Sequence, residues 1–184
     1  GTKTETVKNV FKKAKQDIGE LLSQITATKQ VDDAVIYRNY PIDKQKAFSE
    51  MVLQDLGYEL NRGRMDISAH PFTTTLGSND VRLTTRYQED YFNSGIFSVV
   101  HEGGHGLYEQ GFSNEIQGNI LADATSLGIH ESQSRMWENF IGRSYPFWQY
   151  YYPMLRNYFS ENLQDVTVDA FYRAINRVEP SFIR

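Results

Sequence analysis

Apolar residues recur at three- and four-residue steps through the first 28 positions. Val7, Val10, Phe11, Ala14, Ile18, Leu21, Leu22 and Ile25 fall on one side of a helix and polar residues fill the other. The pattern predicts an amphipathic helix from about Thr2 to Thr28, with its apolar stripe laid over a core. A second helical pattern runs from about Asp43 to Leu60, with Ala47, Phe48, Met51, Val52 and Leu56 on one side, Pro41 just before it and Gly57 near its end. Tyr58 to Ser68 mixes charges with Gly63 and reads as a loop.

The period then changes. His70 to Leu76 is rich in β-formers, and Gly77–Ser78–Asn79–Asp80 is a turn cluster. Beyond it Val81, Leu83, Thr85 and Tyr87 alternate with Arg82, Thr84 and Arg86, which predicts a β-hairpin over about 69–88. Helical periodicity resumes from Ser94, or Asn93 as its cap, to about Gln110, and again from about Asn119 to Phe140. Tyr145 to Ile183 reads as helical and strongly aromatic. The expected fold is mainly α with a small β-hairpin or sheet, in a single domain spanning 1–184. Its parts are a helical region 1–60, a hairpin 69–88, metal-site helices within 94–141 and an aromatic helical region 145–184.

Composition narrows the function. A chain of 184 residues supports one core and is short for two. With no cysteine, disulfide and thiolate chemistry are excluded. A net charge of −4 gives nucleic-acid binding no electrostatic support. The longest apolar runs are too short to span a bilayer, and no secretory leader pattern is visible. These features suggest a soluble, cytoplasmic protein with neither membrane nor nucleic acid as partner.

The sharpest signal is His101–Glu102–Gly103–Gly104–His105, an H-E-x-x-H pattern. On a helix the two histidines differ by about 40° in direction and about 6 Å in height, so both imidazoles can reach one tetrahedral zinc. Glu102 borders the same face. It is displaced too far to be a natural ligand and is well placed to take a proton from an activated water. The glycines weaken the helix, so they imply a close approach at that face. Zinc needs a third protein ligand, and position 111 is glycine where a further histidine would serve. Glu109, Glu115, Asp123, Glu131 and Glu138 are the candidates. Glu109 and Glu115 follow His105 too closely to fold back easily. On a helix from Asn119 to Phe140, Ala124 and Gly128 would permit close approach and bring Glu131 to the metal, so spacing favours Glu131.

The chain resembles the carboxypeptidase Taq family of metallocarboxypeptidases. The resemblance rests on His70–Pro71–Phe72, Asp80–Val81–Arg82–Leu83–Thr84 and His101–Glu102–Gly103–Gly104–His105, followed by Leu107–Tyr108–Glu109–Gln110. It continues through Gly128–Ile129–His130–Glu131–Ser132–Gln133–Ser134–Arg135 and Trp137–Glu138–Asn139 to Val178–Glu179–Pro180–Ser181–Phe182–Ile183–Arg184. It implies a gluzincin-like zinc-peptidase fold with a helical cleft. His101, His105 and Glu131 would bind zinc, or cobalt on substitution, and Glu102 would be the general base. His70, Phe72, Asp80, Arg82, Thr84 and Gln133 would line the peptide cleft. Separately from the resemblance, His130, beside Glu131 on the helix, reads as supporting the ligands from behind. The implied activity is release of C-terminal amino acids from peptides with broad specificity, commonly by a homodimer.

Two departures qualify the match. Gly106 stands where the family more often has alanine. Family members are also much longer, and Ile183–Arg184 opens an I-R-x-x-A-D motif that the sequence does not continue. The chain therefore reads as the metal-binding middle of a longer enzyme, with an incomplete cleft, able to form the site but a poor catalyst alone. A zinc oligopeptidase cutting internal bonds, and a non-catalytic zinc- or peptide-binding domain, are the competing readings. Retention of Glu102 disfavours the second. Arg82 suits a substrate carboxylate; the competing reading is an exposed strand arginine, or one paired with Asp80. The aromatic cluster Tyr145, Phe147, Trp148, Tyr150, Tyr151 and Tyr152 reads as packing rather than as a binding platform.

Overall fold

A computed structural model describes residues 1–77 and 79–179. Among the described residues the chain falls into two compact units, one formed by residues 1–32 and 177–179, the other by Asp33–Asn176. In the first, α1 (Thr4–Thr26) forms where the periodicity places it. Its stripe covers no core, however. None of its residues is buried, and Phe11 is 68% exposed. Among the described residues of its unit no second layer of secondary structure stands against it.

The second unit holds the remaining elements. Helix α2 (Ile42–Asp55) starts after Pro41 and stops five residues short of Leu60, because Gly57 takes φ +103° and turns the chain. Tyr58 to Ser68 is not all loop. It contains a 3₁₀ turn (Leu60–Arg62) and a strand, β1 (Gly63–Ile67). Strands β2 (Thr73–Gly77) and β3 (Asp80–Thr85) form the expected antiparallel pair, and β1 adds in parallel on the other side of β3. Strand β1 carries Arg64 and Asp66 and buries only Met65, so it lacks the alternation that marks β3. Its pairing with β3 makes it a strand.

Helix α3 (Phe92–Gln110) is the centre of this unit. One side rests on the sheet through Leu53, Tyr58, Met65, Val81, Leu83, Tyr87 and Val99. The other faces a larger aromatic core built around Phe48, Phe92, Trp148, Phe159 and Phe171, which joins α2, α3, α5 (Tyr145–Tyr158) and α7 (Val168–Ile175). The aromatic cluster is therefore largely packing. Phe147, Trp148, Tyr151 and Tyr152 are buried, while Tyr150 is 60% exposed. The expected caps Asn93 and Ser94 lie inside α3, which begins after Tyr91.

The stretch 119–140 is not one helix. Asn119 and Asp123 turn their side chains onto the backbone N–H groups of Leu121 and Ala124, 3.1 and 2.7 Å away, an arrangement that competes with helix formation. Ser126 then caps α4 (Leu127–Arg135), accepting from the Ile129 N–H. A π-helical turn, Met136–Ile141, continues it. The region expected to be helical from 145 to 183 is broken into α5, α6 (Ser160–Leu163) and α7, and its end, with Pro180 to Arg184 of the resemblance, lies outside the described residues.

Candidate metal centre

Helix α3 is apolar on most of its surface, so its middle is buried. His101 and Glu102 are 3% and 5% exposed. Helix α4 crosses α3 at Gly104. A Cβ there would meet the Ser134 Cα at 2.7 Å, so only glycine allows this approach. The contact comes from Gly104 on α3. Gly128, expected to provide it from α4, has only the Ser126 hydroxyl near its Cβ direction.

The crossing brings Glu131 of α4 over the two histidines. Its Oε2 lies 3.6 Å from His101 Nε2 and 3.3 Å from His105 Nε2. Ligand atoms from all three residues lie within 4.8 Å of one another. Donors held 2.0–2.1 Å from one tetrahedral metal stand about 3.3 Å apart, so the two Glu131 separations fit a shared divalent metal ion. The Glu131 side chain is 47% exposed, which leaves an approach to the site from solvent.

The second nitrogen of each ring is also engaged. His101 Nδ1 is 2.8 Å from Glu138 Oε2, on the π-helical turn. Arg135 donates to Glu138 at 3.2 Å and to Glu131 Oε1 at 2.9 Å, and Arg143 reaches Glu138 Oε1 at 3.6 Å while stacking over Phe97. Burial raises the Glu138 carboxyl, but the His101 hydrogen bond and the surrounding positive groups outweigh it and hold it below its ordinary range. Glu131 is likewise held low, the Arg135 hydrogen bond and the neighbouring His101 overcoming burial. His105 Nδ1 contacts His130 Nδ1, and His130 Nε2 lies 2.7 Å from Glu109 Oε1. Burial, with His130 and His101 nearby, pushes His105 down to about 4. Glu102 is held from the sheet side, where the Thr73 hydroxyl of β2 donates to its Oε2 at 2.7 Å and contacts its carbonyl oxygen at 3.0 Å.

The sequence profile described as carboxypeptidase Taq (M32) metallopeptidase matches residues 1–184. The chain belongs to this family. It is 45% identical to thermostable carboxypeptidase 1 of Thermus thermophilus and 43% identical to carboxypeptidase 1 of Bacillus subtilis, each over its full length. It spans only 36% and 37% of those two relatives. The solved M32 carboxypeptidase of Deinococcus radiodurans superposes with a TM-score of 0.96 at 41% identity, over 98% of this chain and 36% of that one.

Of the positions suggested by resemblance to carboxypeptidase Taq enzymes, the structure draws His101, His105 and Glu131 together and sets His130 behind His105. Of the remaining positions, Asp80, Arg82 and Thr84 lie on β3. His70 and Phe72 are exposed ahead of β2, and the backbone N–H of Phe72 donates to the Thr84 hydroxyl at 3.1 Å. Arg82 is paired with Asp80 through two hydrogen bonds of 2.7 Å each. Gln133 is half-buried on α4.

Sequence reasoning missed Thr73, Arg135 and Arg143, and assigned Glu109 and Glu138 only as rival ligands. Glu138 had a signal: it lies seven residues after Glu131, on the same helix face. Thr73 stands directly after the His70–Pro71–Phe72 motif, in a run of threonines with no distinguishing pattern.

Proposed function

We propose that this chain carries the metal centre of a carboxypeptidase, with zinc held by His101, His105 and Glu131 and cobalt able to replace it. The convergence of those three donors at chelating distances carries the reading. A metal bound there supplies Lewis acidity toward a water and a peptide carbonyl.

Glu102 is the general base. It follows His101 by one residue, and Thr73 fixes one of its carboxylate oxygens. Its carboxylate removes a proton from the attacking water as the water oxygen bonds to the scissile carbonyl carbon. It then delivers that proton to the amine nitrogen as the carbon–nitrogen bond breaks. The products are a shortened peptide and a free amino acid.

The names of the relatives support cleavage at the C-terminal bond. A terminal carboxylate suits Arg82, which would exchange its Asp80 partner for the substrate, with His70, Phe72, Thr84 and Gln133 along the cleft. Broad side-chain preference, a homodimeric assembly and a cytoplasmic setting complete the proposal. Among the described residues, no helix is long and apolar enough to cross a membrane. Because the chain spans about 36–37% of its curated relatives, we propose that alone it binds the metal and turns peptides over slowly or not at all.

The test is cleavage of a blocked dipeptide and a longer peptide by the zinc-loaded chain, and by a relative of full length bearing this chain's residues, with product masses read directly. Single-residue release from the C-terminus supports the reading. Internal cleavage would replace it with an oligopeptidase. Glu102→Gln should retain zinc and lose turnover; undiminished activity would remove the general-base assignment.

A further inference from the structure

The two ligand histidines are wired differently. His101 Nδ1 meets a carboxylate directly, Glu138 at 2.8 Å. His105 Nδ1 meets another imidazole nitrogen, His130 Nδ1, and the carboxylate comes one ring later, with Glu109 Oε1 2.7 Å from His130 Nε2. The two rings lie 4.5 Å apart between centroids, close to the separation expected when their Nδ1 atoms point at each other.

This contact dictates where the protons sit. A carboxylate only accepts, so His130 carries its proton on Nε2. The opposite placement would aim a nitrogen lone pair at an oxygen lone pair across 2.7 Å. In its neutral form the ring has one N–H, and His130 Nδ1 is then an acceptor. The proton shared between the two Nδ1 atoms therefore belongs to His105. His105 Nε2 is then left with a lone pair facing Glu131 Oε2 at 3.3 Å, a repulsion weaker than the one across 2.7 Å and removed by a cation bound between the two atoms.

We propose that Glu109 is a positioning residue for metal binding: acting through His130, it holds His105 in the tautomer whose Nε2 can ligate. The inference rests on the zinc reading of the site. The relay is sheltered, since the side chains of His105, His130 and Glu109 are 15%, 19% and 14% exposed. The Tyr108 ring stands edge-on to His130 at 5.3 Å and limits its rotation. The register explains the economy of the arrangement. Glu109 follows His105 by one turn of α3, and His130 immediately precedes Glu131 on α4. Helix α3 supplies both histidine ligands and the distant carboxylate, and α4 supplies the relay and the third ligand.

The experiment is long-range ¹H–¹⁵N NMR of the imidazoles in the metal-free chain, paired with zinc titration of the same samples. In the wild type, His105 and His101 should carry protons on Nδ1 and His130 on Nε2. Glu109→Ala should introduce an Nε2–H population at His105 and weaken zinc binding about 10- to 100-fold, as losses behind a metal ligand do. Glu109→Asp should recover part of both effects. His130→Ala should weaken zinc similarly, and Glu109→Ala combined with it should add nothing further, because Glu109 acts through that ring. A wild-type His105 protonated on Nε2 overturns the proposal without recourse to any variant, as does full additivity of the two substitutions. A wild type with the expected tautomers that binds no zinc overturns the metal reading and leaves the relay standing.

Discussion

A Cβ added to Gly104 would stand 2.7 Å from the Cα of Ser134. The obstacle is backbone, with the Gln133 carbonyl oxygen at 3.2 Å, so no side-chain rotation relieves it. Gly104→Ala should force α3 and α4 apart. Alanine raises helix propensity by about 1 kcal/mol, and the overpacking costs about 1–3 kcal/mol, so we expect a net loss of stability. Because His105 and Glu131 sit on the two separated helices, zinc affinity should fall with it. Urea denaturation and zinc titration check both; unchanged values would show that the close approach is not needed.

Removing Glu138 should be felt twice. It is hydrogen-bonded to His101 and approached by Arg135 and Arg143, so Glu138→Ala leaves the largely buried guanidinium of Arg143 without its carboxylate. The expected cost is about 3 kcal/mol in stability, with about 10- to 100-fold weaker zinc binding. Glu138→Gln keeps the shape and should lose less of both. Thermal melting of the metal-free and zinc-loaded protein separates the two effects.

Thr73 joins the sheet to the proposed base. Thr73→Val keeps the side-chain volume but removes a donor to the Glu102 carboxylate. A hydrogen bond to a charged group is worth about 1.5–3 kcal/mol, so a loss of that order should appear in urea denaturation. Zinc affinity should stay near that of the wild type, since no ligand is touched. A stable variant with weakened zinc would contradict this division of roles.

Much of this architecture was legible in the sequence where it depends on local pattern. The alternation of Val81, Leu83 and Thr85 marked β3, and the four-residue step from His101 to His105 marked the ligand pair. Glu131 was singled out among five acidic candidates by spacing and resemblance together. What was not legible depends on contacts distant in sequence. Strand β1 has no apolar alternation and exists through its parallel pairing with β3. Sequence reasoning set Glu109 aside as too close to His105 and left Glu138 as a rival ligand, with no role behind the histidines for either. Packing alone separates them, placing Glu131 on the Nε2 side of both rings and the other two behind Nδ1. The break between Asn119 and Ser126 was visible only as residue types that favour turns, which the helical period outweighed.

Acid should weaken the metal-free protein through His105. Its folded-state value is pushed down to about 4, mainly by burial, below the ordinary 6.5. Between those values the unfolded chain binds the proton more readily, so stability rises with pH from about 4 to 6.5 and is unaffected by this group above that window. Glu131 and Glu138, both held below their ordinary range, act in the same direction at the acid end, losing their contribution as pH falls. Urea midpoints of the wild type and His105→Asn at pH 4.5 and 7 test the first statement. The wild type's advantage should shrink at the lower pH, and a constant gap would refute the assignment.

The central claim is that His101, His105 and Glu131 converge on one metal. Zinc content after equilibrium dialysis, measured by elemental analysis, tests it most directly. The wild type should retain a single zinc per chain. His101→Ala, His105→Ala and Glu131→Ala should each lose it, while Glu115→Ala and Asp123→Ala, which remove two of the other four acidic candidates, should keep it. A wild-type chain that takes up no zinc, or a Glu131→Ala variant that holds it undiminished, would contradict the account.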